Sequence, residues 1–245
     1  MRALALLLLV PAALGAQAPA PPAAMPLSTL LARYATASGP FEKIQSRRVA
    51  MKVTGILPDA IPVVSEAMRP NLLRKDVTLA GAVQVTATDG TKPWRIDPFA
   101  SRDGKPADVP AAELADFLEE TDFDGPLIGA AAKGIVLGYD GPKVVQVRGV
   151  ATPVHAVSVR WPNGRTATVH LDAKTYLEVL RTQRRPAMGR DVAMSITPSD
   201  YRTVQGVQVP YTMEILPEGS PQPIRLQLDK VEFNVAIDRG RFRRP

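Results

Sequence analysis

The chain has 245 residues, of which 45 % are hydrophobic and 22 % charged, a composition typical of a globular protein rather than a disordered tail or a fibre. It contains no cysteine, which excludes disulfide bonds, thiolate nucleophiles, cysteine-bound zinc or iron–sulfur clusters, and a lipid-modified N-terminal cysteine. The net charge of +6 is modest, and the basic clusters lack the interleaved aromatic side chains that stack on bases. We therefore expect no nucleic-acid partner.

Residues 1–18 have the pattern of an export signal, with Arg2 at the start, an apolar run over residues 3–10 and small residues that end in Ala16-Gln17-Ala18. The apolar run is too short for a membrane-spanning helix, which needs about 20 residues. The prolines of residues 19–25 are typical of a linker. The sequence thus predicts a soluble protein exported to the periplasm without a lipid anchor, in which residues 26–245 form a single domain.

The first predicted element is an amphipathic helix over residues 26–38. Leu27, Leu30 and Leu31 recur there at helical spacing, and the following Gly39-Pro40 ends the helix. From residue 48 the hydrophobic period changes to two, which is typical of half-buried strands. The predicted strands of this first group cover residues 48–54, 63–69, 72–79, 82–88 and 94–96.

A loop over residues 98–110 precedes a second predicted helix, residues 110–121, which has a proline in its first turn and one apolar stripe. A short helix is predicted at 127–133. The period-two pattern then resumes over residues 135–139, 143–148, 154–161, 165–171, 176–184, 192–201, 207–215 and 224–235. Because no long helices alternate with these strands, a parallel α/β sheet is disfavoured. The sequence predicts a mainly β fold of the α+β class, an incomplete antiparallel β-barrel or strongly curved sheet whose open face is covered by the helices.

One hairpin allows the strand register to be predicted. Asn163-Gly164 is the preferred pair for a two-residue type I′ turn. That turn would place Trp161 opposite Thr166 and His155 opposite Asp172, with these side chains on one face. The face predicted to point inward carries Val157, Val159, Trp161 and both histidines, and the face predicted to point to solvent carries Ser158, Arg160 and Arg165.

The predicted register brings His155 and His170, which are the only histidines, within reach of each other and of Asp172. Two interpretations remain open, a metal site or acid–base pair, and half-buried histidines that are simply hydrogen-bonded. The second is favoured, because nothing nearby in the sequence would orient three ligands. The motifs GxSxG, HExxH, GxGxxG and the P-loop are absent, so no catalytic residue and no cofactor is expected.

Charged clusters form another group of candidates. The acidic residues Glu119, Glu120, Asp122 and Asp124 fit neither an EF-hand loop nor a known catalytic pair, and a helix end followed by a turn is the favoured interpretation. The basic clusters are Arg181, Arg184, Arg185 and Arg190, and then Arg239, Arg241, Arg243 and Arg244. They are consistent with contacts to anionic lipid, and more so with solvated strand edges that discourage aggregation.

Several phrases, in their order along nearly the whole chain, resemble the LolA-like carriers, the periplasmic family that sorts outer-membrane lipoproteins. The phrases are Ala32-Arg33-Tyr34, Gly39-Pro40-Phe41-Glu42-Lys43-Ile44, Arg69-Pro70-Asn71, Asp89-Gly90, Trp94, Pro98-Phe99, Asp122-Phe123-Asp124-Gly125-Pro126-Leu127, Leu171-Asp172-Ala173, Thr175-Tyr176-Leu177, Asp200-Tyr201-Arg202, Gly206, Pro210, Lys230-Val231 and Asn234. The resemblance implies an unclosed barrel of about eleven strands, with helices as a lid over an apolar cavity that receives acyl chains. Some relatives instead sense lipids or polypeptides, so the fold alone does not fix the function.

The candidate cavity residues are Met51 and Val53 on the first strand, Leu114, Phe117 and Leu118 on the lid helix, and Val157, Val159 and Trp161 on the hairpin. Trp94 and Phe99 are candidates for the rim. For each residue the alternative is an ordinary core contact, or, for the rim pair, a contact that holds the loop. Because each CH₂ of an acyl chain costs about 0.8 kcal/mol in water, a carrier needs a cavity and a movable lid rather than a catalytic residue.

Three functions follow in order of preference. The first is a monomeric, non-catalytic periplasmic carrier for lipidated protein or another hydrophobic ligand, with transient contacts to envelope membrane proteins or anionic lipid. The second is an envelope sensor or interaction module that binds polypeptide or lipid through strand edges and the basic clusters. The third and remote alternative is a metal-dependent hydrolase at His155, His170 and Asp172.

Overall fold

The computed structural model describes residues 19–101, 103–187 and 190–245, and thirteen strands of this part form one antiparallel sheet. The strands are β1 (Ser46–Thr54), β2 (Ile61–Met68), β3 (Leu72–Leu79), β4 (Ala82–Thr88), β5 (Trp94–Ile96), β6 (Ala107–Asp108), β7 (Val136–Val147), β8 (Val150–Arg160), β9 (Thr166–Asp172), β10 (Glu178–Ala187), β11 (Arg190–Val204), β12 (Val207–Pro217) and β13 (Ile224–Phe233). The predicted export signal lies outside the described residues, and residues 19–25 contain no helix or strand.

The strand order is β6-β5-β4-β3-β2-β1-β13-β12-β11-β10-β9-β8-β7, so two meanders meet where β1 pairs with β13. The two ends of the sheet, β6 and β7, do not pair with each other, which leaves the sheet open. The predicted unclosed antiparallel architecture is therefore confirmed. It has thirteen strands where about eleven were expected, and two of the thirteen, β5 and β6, are only three and two residues long.

Two α-helices, α1 (Leu27–Ser38) and α2 (Ala111–Glu119), cover one face of the sheet, as predicted. Leu30 of α1 is fully buried in a cluster with Val157 and other side chains of β8 and β9. Phe117 of α2 packs against Ala67 and Leu73 on β2 and β3. Because directly opposed residues of an antiparallel pair share a face, the registers place both contact sets on the same side of the sheet, which we call the helix face.

Hydrophobic periodicity located most strands closely. The bounds of β3 and β4 are those predicted, residues 72–79 and 82–88. The predicted strands 135–139 and 143–148 are instead one strand, β7, with a register shift between Tyr139 and Gly141. Gly141 has φ +89°, a conformation that glycine adopts without the steric cost of a side chain, and this allows the bulged strand to continue.

The predicted register of the β8–β9 hairpin is wrong by one residue. Arg160, and not Trp161, lies opposite Thr166, and His155 lies opposite Leu171. The turn has three residues between Trp161 and Arg165, which are joined by a hydrogen bond of 2.9 Å from the Trp161 N–H to the Arg165 carbonyl. Gly164 takes φ +82°, so the loop is a tight turn closed by a left-handed glycine rather than the predicted type I′ turn.

A one-residue shift moves every side chain of the partner strand to the other face of the sheet. Val157, Val159 and Trp161 lie on the helix face as predicted, but Arg165 joins them there, and His170 and Asp172 move to the opposite face. His155 and His170 are therefore on opposite sides of the sheet. The predicted meeting of the two histidines with Asp172 is wrong for this reason.

The face opposite the helices, which we call the reverse face, is also concave along β7 to β12. Arg148, at the turn between β7 and β8, bonds through Nε to Glu214 at 2.9 Å and through Nη2 to Ser199 at 2.7 Å. These partners lie on β12 and β11, so the end of the hairpin folds across β9 and β10. Val154 and His170 are buried beneath it.

Candidate functional site

A cavity of about 240 Å³ lies on the helix face. Strands β11, β12 and β13 provide its floor, and the end of α1, residues 123–125 and residues 177–181 provide the opposing walls. The floor carries Ile196, Pro198, Met213, Ile215 and Leu226; the remaining lining residues are Tyr34, Ser38, Phe41, Phe123, Asp124, Gly125, Leu177, Glu178, Arg181, Tyr201, Gln208 and Pro210. The cavity thus has an apolar floor and a more polar rim.

The register explains why the apolar floor is continuous. Ile196 lies opposite Ile215, and Ile215 lies opposite Ile224, so three strands contribute isoleucine to one row. The neighbouring row runs from Met213 to Leu226 and on to Val53 of β1. All six side chains are only partly buried. The apolar surface therefore extends beyond the enclosed volume towards β1, and neither helix covers it completely.

The polar rim is internally paired. Arg181 makes two hydrogen bonds to the Glu178 carboxylate, at 3.0 and 2.8 Å, and the Tyr201 hydroxyl donates to the Glu178 carbonyl at 2.8 Å. Burial, together with the charge of Glu178, raises the pKa of Tyr34 to about 12, and the same two causes raise the pKa of Tyr201. Both tyrosines therefore remain neutral hydrogen-bonding groups at neutral pH.

Phe123 forms the junction between the cavity wall and the sheet. The guanidinium groups of Arg47 and Arg69 lie over its ring, at 5.1 and 4.9 Å from the ring centroid, within the range of a cation–π contact. Arg69 also donates to Asp124 at 2.7 Å and to the carbonyl of Ile44 at 2.7 Å. Burial lowers the pKa of Arg47 to about 10, so its guanidinium stays charged at neutral pH.

Ion pairs attach α2 across the helix face. Glu119 pairs with Arg165 of the β8–β9 turn at 3.0 Å and with Arg185 of β10 at 2.6 Å. On the other side Glu120 pairs with Lys75 of β3 at 2.8 Å. The acidic cluster thus ends a helix, as favoured from the sequence, and its carboxylates bind basic side chains. Asp122 and Asp124 do the same with Lys133 and Arg69.

The sequence-predicted cavity residues have three different locations. Met51 and Val53 lie on the apolar floor beyond the enclosed volume, whereas Val157, Val159 and Trp161 pack in the cluster around α1. On α2, Phe117 is buried, Leu114 is half-buried and Leu118 is exposed. None of the eight lines the 240 Å³ cavity. Their contact with a ligand stays a prediction.

The rim candidates also lie away from this cavity. Trp94 is buried and its indole N–H donates to the carbonyl of Phe242 at 2.9 Å, which holds the C-terminal segment. Phe99 is exposed on its loop. The lining residues that the sequence reading missed, Ile196, Met213, Ile215 and Leu226, are in strands with clear alternation. That alternation was a usable signal, but it does not identify which alternating strands lie beneath the helices.

The histidines are each satisfied locally. The Tyr139 hydroxyl and His155 Nδ1 are 2.9 Å apart, and the His155 ring stacks on Tyr176 at a centroid distance of 6.2 Å. His170 Nδ1 lies 3.2 Å from the Leu180 carbonyl. Burial lowers the pKa of both histidines. Across residues 19–101, 103–187 and 190–245, no group of three or more metal-ligating side chains is found.

The first basic cluster is divided between the two faces. Arg181 and Arg185 lie on the helix face and are paired with Glu178 and Glu119, whereas Arg184 lies on the reverse face. Of the second cluster, Arg241 pairs with Glu66 at 2.6 Å, and Arg244 pairs with Asp108 at 2.7 Å. Among the described residues no helix is both long and apolar enough to span a bilayer.

No family model and no curated protein sequence matches the chain. Solved structures do resemble it. An outer-membrane lipoprotein-sorting protein domain from Vibrio parahaemolyticus is 10 % identical with a TM-score of 0.59, over 87 % of this chain and 94 % of that one. A LolA superfamily protein from Nitrosomonas europaea is 8 % identical with a TM-score of 0.61, over 88 % and 96 % of the two chains. A DUF1329 family protein from Desulfovibrio piger is 10 % identical with a TM-score of 0.59, over 88 % and 95 %.

At these identities the likeness concerns the fold. The protein belongs to the structural class in which an open antiparallel sheet carries helices over a cavity on one face. More particularly, the fold is LolA-like, and the fold-level resemblance predicted from the sequence is confirmed.

Proposed function

We propose that this protein is a non-catalytic binding protein of the periplasm that carries an acyl-bearing ligand, such as a lipidated protein, on the helix face of its sheet. The observation that carries the proposal is the apolar floor of the cavity. Its rows of partly buried Ile196, Ile215, Met213 and Leu226 offer an acyl chain a surface away from water. Each CH₂ placed there gains about 0.8 kcal/mol.

The size of the cavity indicates how a long chain would bind. Its volume of about 240 Å³ is below the roughly 300–1,000 Å³ of typical ligand pockets. A longer acyl chain would therefore extend along the floor towards Met51 and Val53, or displace α2. Ion pairs attach α2 to the sheet on both sides, and Phe117 is its one buried side chain. This makes α2 the natural lid.

The comparisons support the proposal only through the fold. One structural neighbour is described as a lipoprotein-sorting domain, and that description belongs to the neighbour. The periplasmic location rests on the export-signal pattern of residues 1–18. The alternative of a polypeptide sensor relied on exposed strand edges and the basic clusters. Of the first cluster, Arg181 and Arg185 are engaged in ion pairs with Glu178 and Glu119 on the helix face, which does not favour that alternative.

A pair of adjacent substitutions tests the proposal. Ile215 lies on the cavity floor, whereas Leu216 is the next residue of β12 and points to the reverse face. In fluorescent fatty-acid titrations, Ile215→Glu is expected to abolish binding, because it places a carboxylate on the apolar floor, and Leu216→Glu is expected to leave binding unchanged. Native mass spectrometry of protein purified gently from the periplasm is expected to show an acyl ligand on the wild type. Ligand-free protein that also ignores the probe would contradict the proposal.

A further inference from the structure

The reverse face contains a second and larger concavity that the acyl-binding proposal does not use. Its volume of about 860 Å³ lies in the roughly 300–1,000 Å³ range of small-molecule sites. Its walls come from β7 to β12 and from residues 217–220. Arg148, at the turn of the β7–β8 hairpin, pairs with Glu214 of β12 at 2.9 Å, so the hairpin reaches across β9 and β10 on this side of the sheet.

One row of small, mostly hydroxyl-bearing side chains crosses this groove. Strand by strand, directly opposed residues form the series Gly138, Ser158, Thr168, Thr182, Ser195 and Leu216. Because opposed residues share a face, four neighbouring strands each present a hydroxyl at the same level, about 4.8 Å apart. Each hydroxyl both donates and accepts a hydrogen bond.

Most of these hydroxyls are available to a ligand. Ser158 donates to Asp140 at 3.0 Å. Thr168, Thr182 and Ser195 make no side-chain hydrogen bond within the described part of the chain, and all three are at least partly exposed. An acyl chain laid over this row would cover polar groups without replacing their hydrogen bonds to water, which is unfavourable. The row therefore favours a ligand that carries hydroxyl groups of its own.

Two arginines also lie in this groove, each two residues along its strand from a member of the hydroxyl row. Arg160 lies opposite Thr166, and Arg184 lies on the strand at the other side of Thr166. Arg160 is exposed and has no ion pair among the described residues. Arg184 is 60 % exposed, donates to the Asp191 carbonyl at 3.0 Å and lies 4.0 Å from the Asp191 carboxylate. Both guanidinium groups are thus accessible to an anionic ligand, although Glu218 also lines the groove.

The spacing of the hydroxyl groups and the arginines in the groove sets the size of the ligand. Ser158 and Arg160 are two residues apart on β8, which corresponds to about 6.6 Å along a strand. Across the strands, the hydroxyls of Thr168, Thr182 and Ser195 span about 9.6 Å, which is too far for a single small anion to contact all three. The exposed Val136 and Leu216 also line the groove and provide apolar surface for the C–H groups of a ligand.

We infer that this reverse-face groove binds an anionic saccharide, whose ring hydroxyls bond to Thr168, Thr182 and Ser195 and whose carboxylate or phosphate group meets Arg160 and Arg184. The ligand class follows from the combination of a row of neutral hydroxyl groups with guanidinium groups two residues further along the strands. This inference is independent of the acyl-binding proposal, because the two concavities lie on opposite faces of the sheet.

Calorimetric titration of the purified chain with three probes tests the inference: trigalacturonate, neutral maltotriose and inorganic phosphate. Trigalacturonate is expected to bind at least tenfold more tightly than either of the others. The near-isosteric double variant Thr168→Val/Thr182→Val and the variant Arg160→Met are each expected to weaken that binding at least tenfold. Ile215→Glu, on the helix face, is expected to leave it unchanged.

Circular dichroism and the thermal midpoint verify that each variant is folded. The inference is overturned if trigalacturonate does not bind at millimolar concentration, or if maltotriose or phosphate binds as tightly. It is also overturned if the folded valine or methionine variants bind trigalacturonate like the wild type. Fatty-acid binding measured on the same samples separates a failure here from a failure of the acyl-binding proposal.

Discussion

Glu119 of α2 and Arg185 of β10 form an ion pair of 2.6 Å that attaches the helix to one side of the helix face. Glu120 and Lys75 attach it to the other side at 2.8 Å. The side chains of Lys75 and Glu120 are 28 % and 49 % exposed, so salt screens their attraction more than it screens the largely buried pair of Glu119 and Arg185. The ion pairs of the helix that we propose as the lid can thus be broken without opening the core, and Phe117 is the buried contact that remains.

The first prediction concerns this attachment. Glu119→Gln removes the charge that pairs with Arg165 and Arg185, and should lower the free energy of unfolding by about 1–3 kcal/mol. Glu113→Gln is the matched control on the same helix, because the Glu113 side chain is 52 % exposed in its pair with Arg95 and should change stability by less than about 1 kcal/mol. Urea denaturation measures both. Hydrogen exchange in residues 111–119 should accelerate only in the first variant, and equal protection in both would contradict the lid assignment.

The second prediction concerns the end of α1. A Cβ on Gly39 would lie 2.2 Å from the carbonyl oxygen of Gly206, and Gly39 also has φ +90°. Gly39→Ala should therefore destabilise the protein by more than about 2 kcal/mol, through both the clash and the backbone strain. Gly219→Ala, at φ +80° with no atom near the added Cβ, should show the strain alone, about 1 kcal/mol. Equal thermal midpoints for the two variants would show that the contact of α1 with β12 is not tight.

The third prediction concerns Phe123. Phe123→Ala removes the ring beneath Arg47 and Arg69 together with its contacts to two hydrophobic clusters, and should cost about 2–4 kcal/mol. Phe123→Leu restores much of the volume but not the π face, so it should recover only part of the loss. Full recovery by leucine in chemical denaturation would show that the cation–π contacts contribute nothing.

The fourth prediction is a pH dependence of stability. The folded-state pKa values of His155 and His170 are lowered, mainly by burial, below the roughly 6.5 of the unfolded chain. The stability from keeping both rings neutral is fully present above that unfolded value and is lost as the pH falls through the lower folded values. The wild type should therefore lose stability relative to His155→Gln/His170→Gln between pH 7.5 and 5. Parallel pH profiles of the unfolding free energy would contradict this.

The strands and helices could be predicted because they depend on local periodicity, as in β3, β4 and α1. The sites depend on register, which is a relation between strands. A single extra residue in the turn at Gly164 separated His155 from His170, although both were assigned to the correct strands. Such a shift follows from the local turn conformation, and the sequence Asn-Gly is compatible with more than one turn.

Predicting the two concavities from the sequence would have required the pairing of several strands that are far apart along the chain. Ile196 and Ile215 alternate clearly within their own strands, but only the pairing of β11, β12 and β13 places them beneath the end of α1. The row from Gly138 to Leu216 forms on the reverse face because five strand pairs are in one particular register. No local pattern contains those registers, because they are set by packing over the whole sheet.

Photo-crosslinking with a palmitate analogue that carries a diazirine near its methyl end tests the central claim most directly. The account predicts saturable adducts, identified by peptide mass spectrometry, on the segments of β11 to β13 that carry Ile196, Met213, Ile215 and Leu226. Adducts confined to the reverse face, or labelling that never saturates, would contradict an acyl-binding helix face.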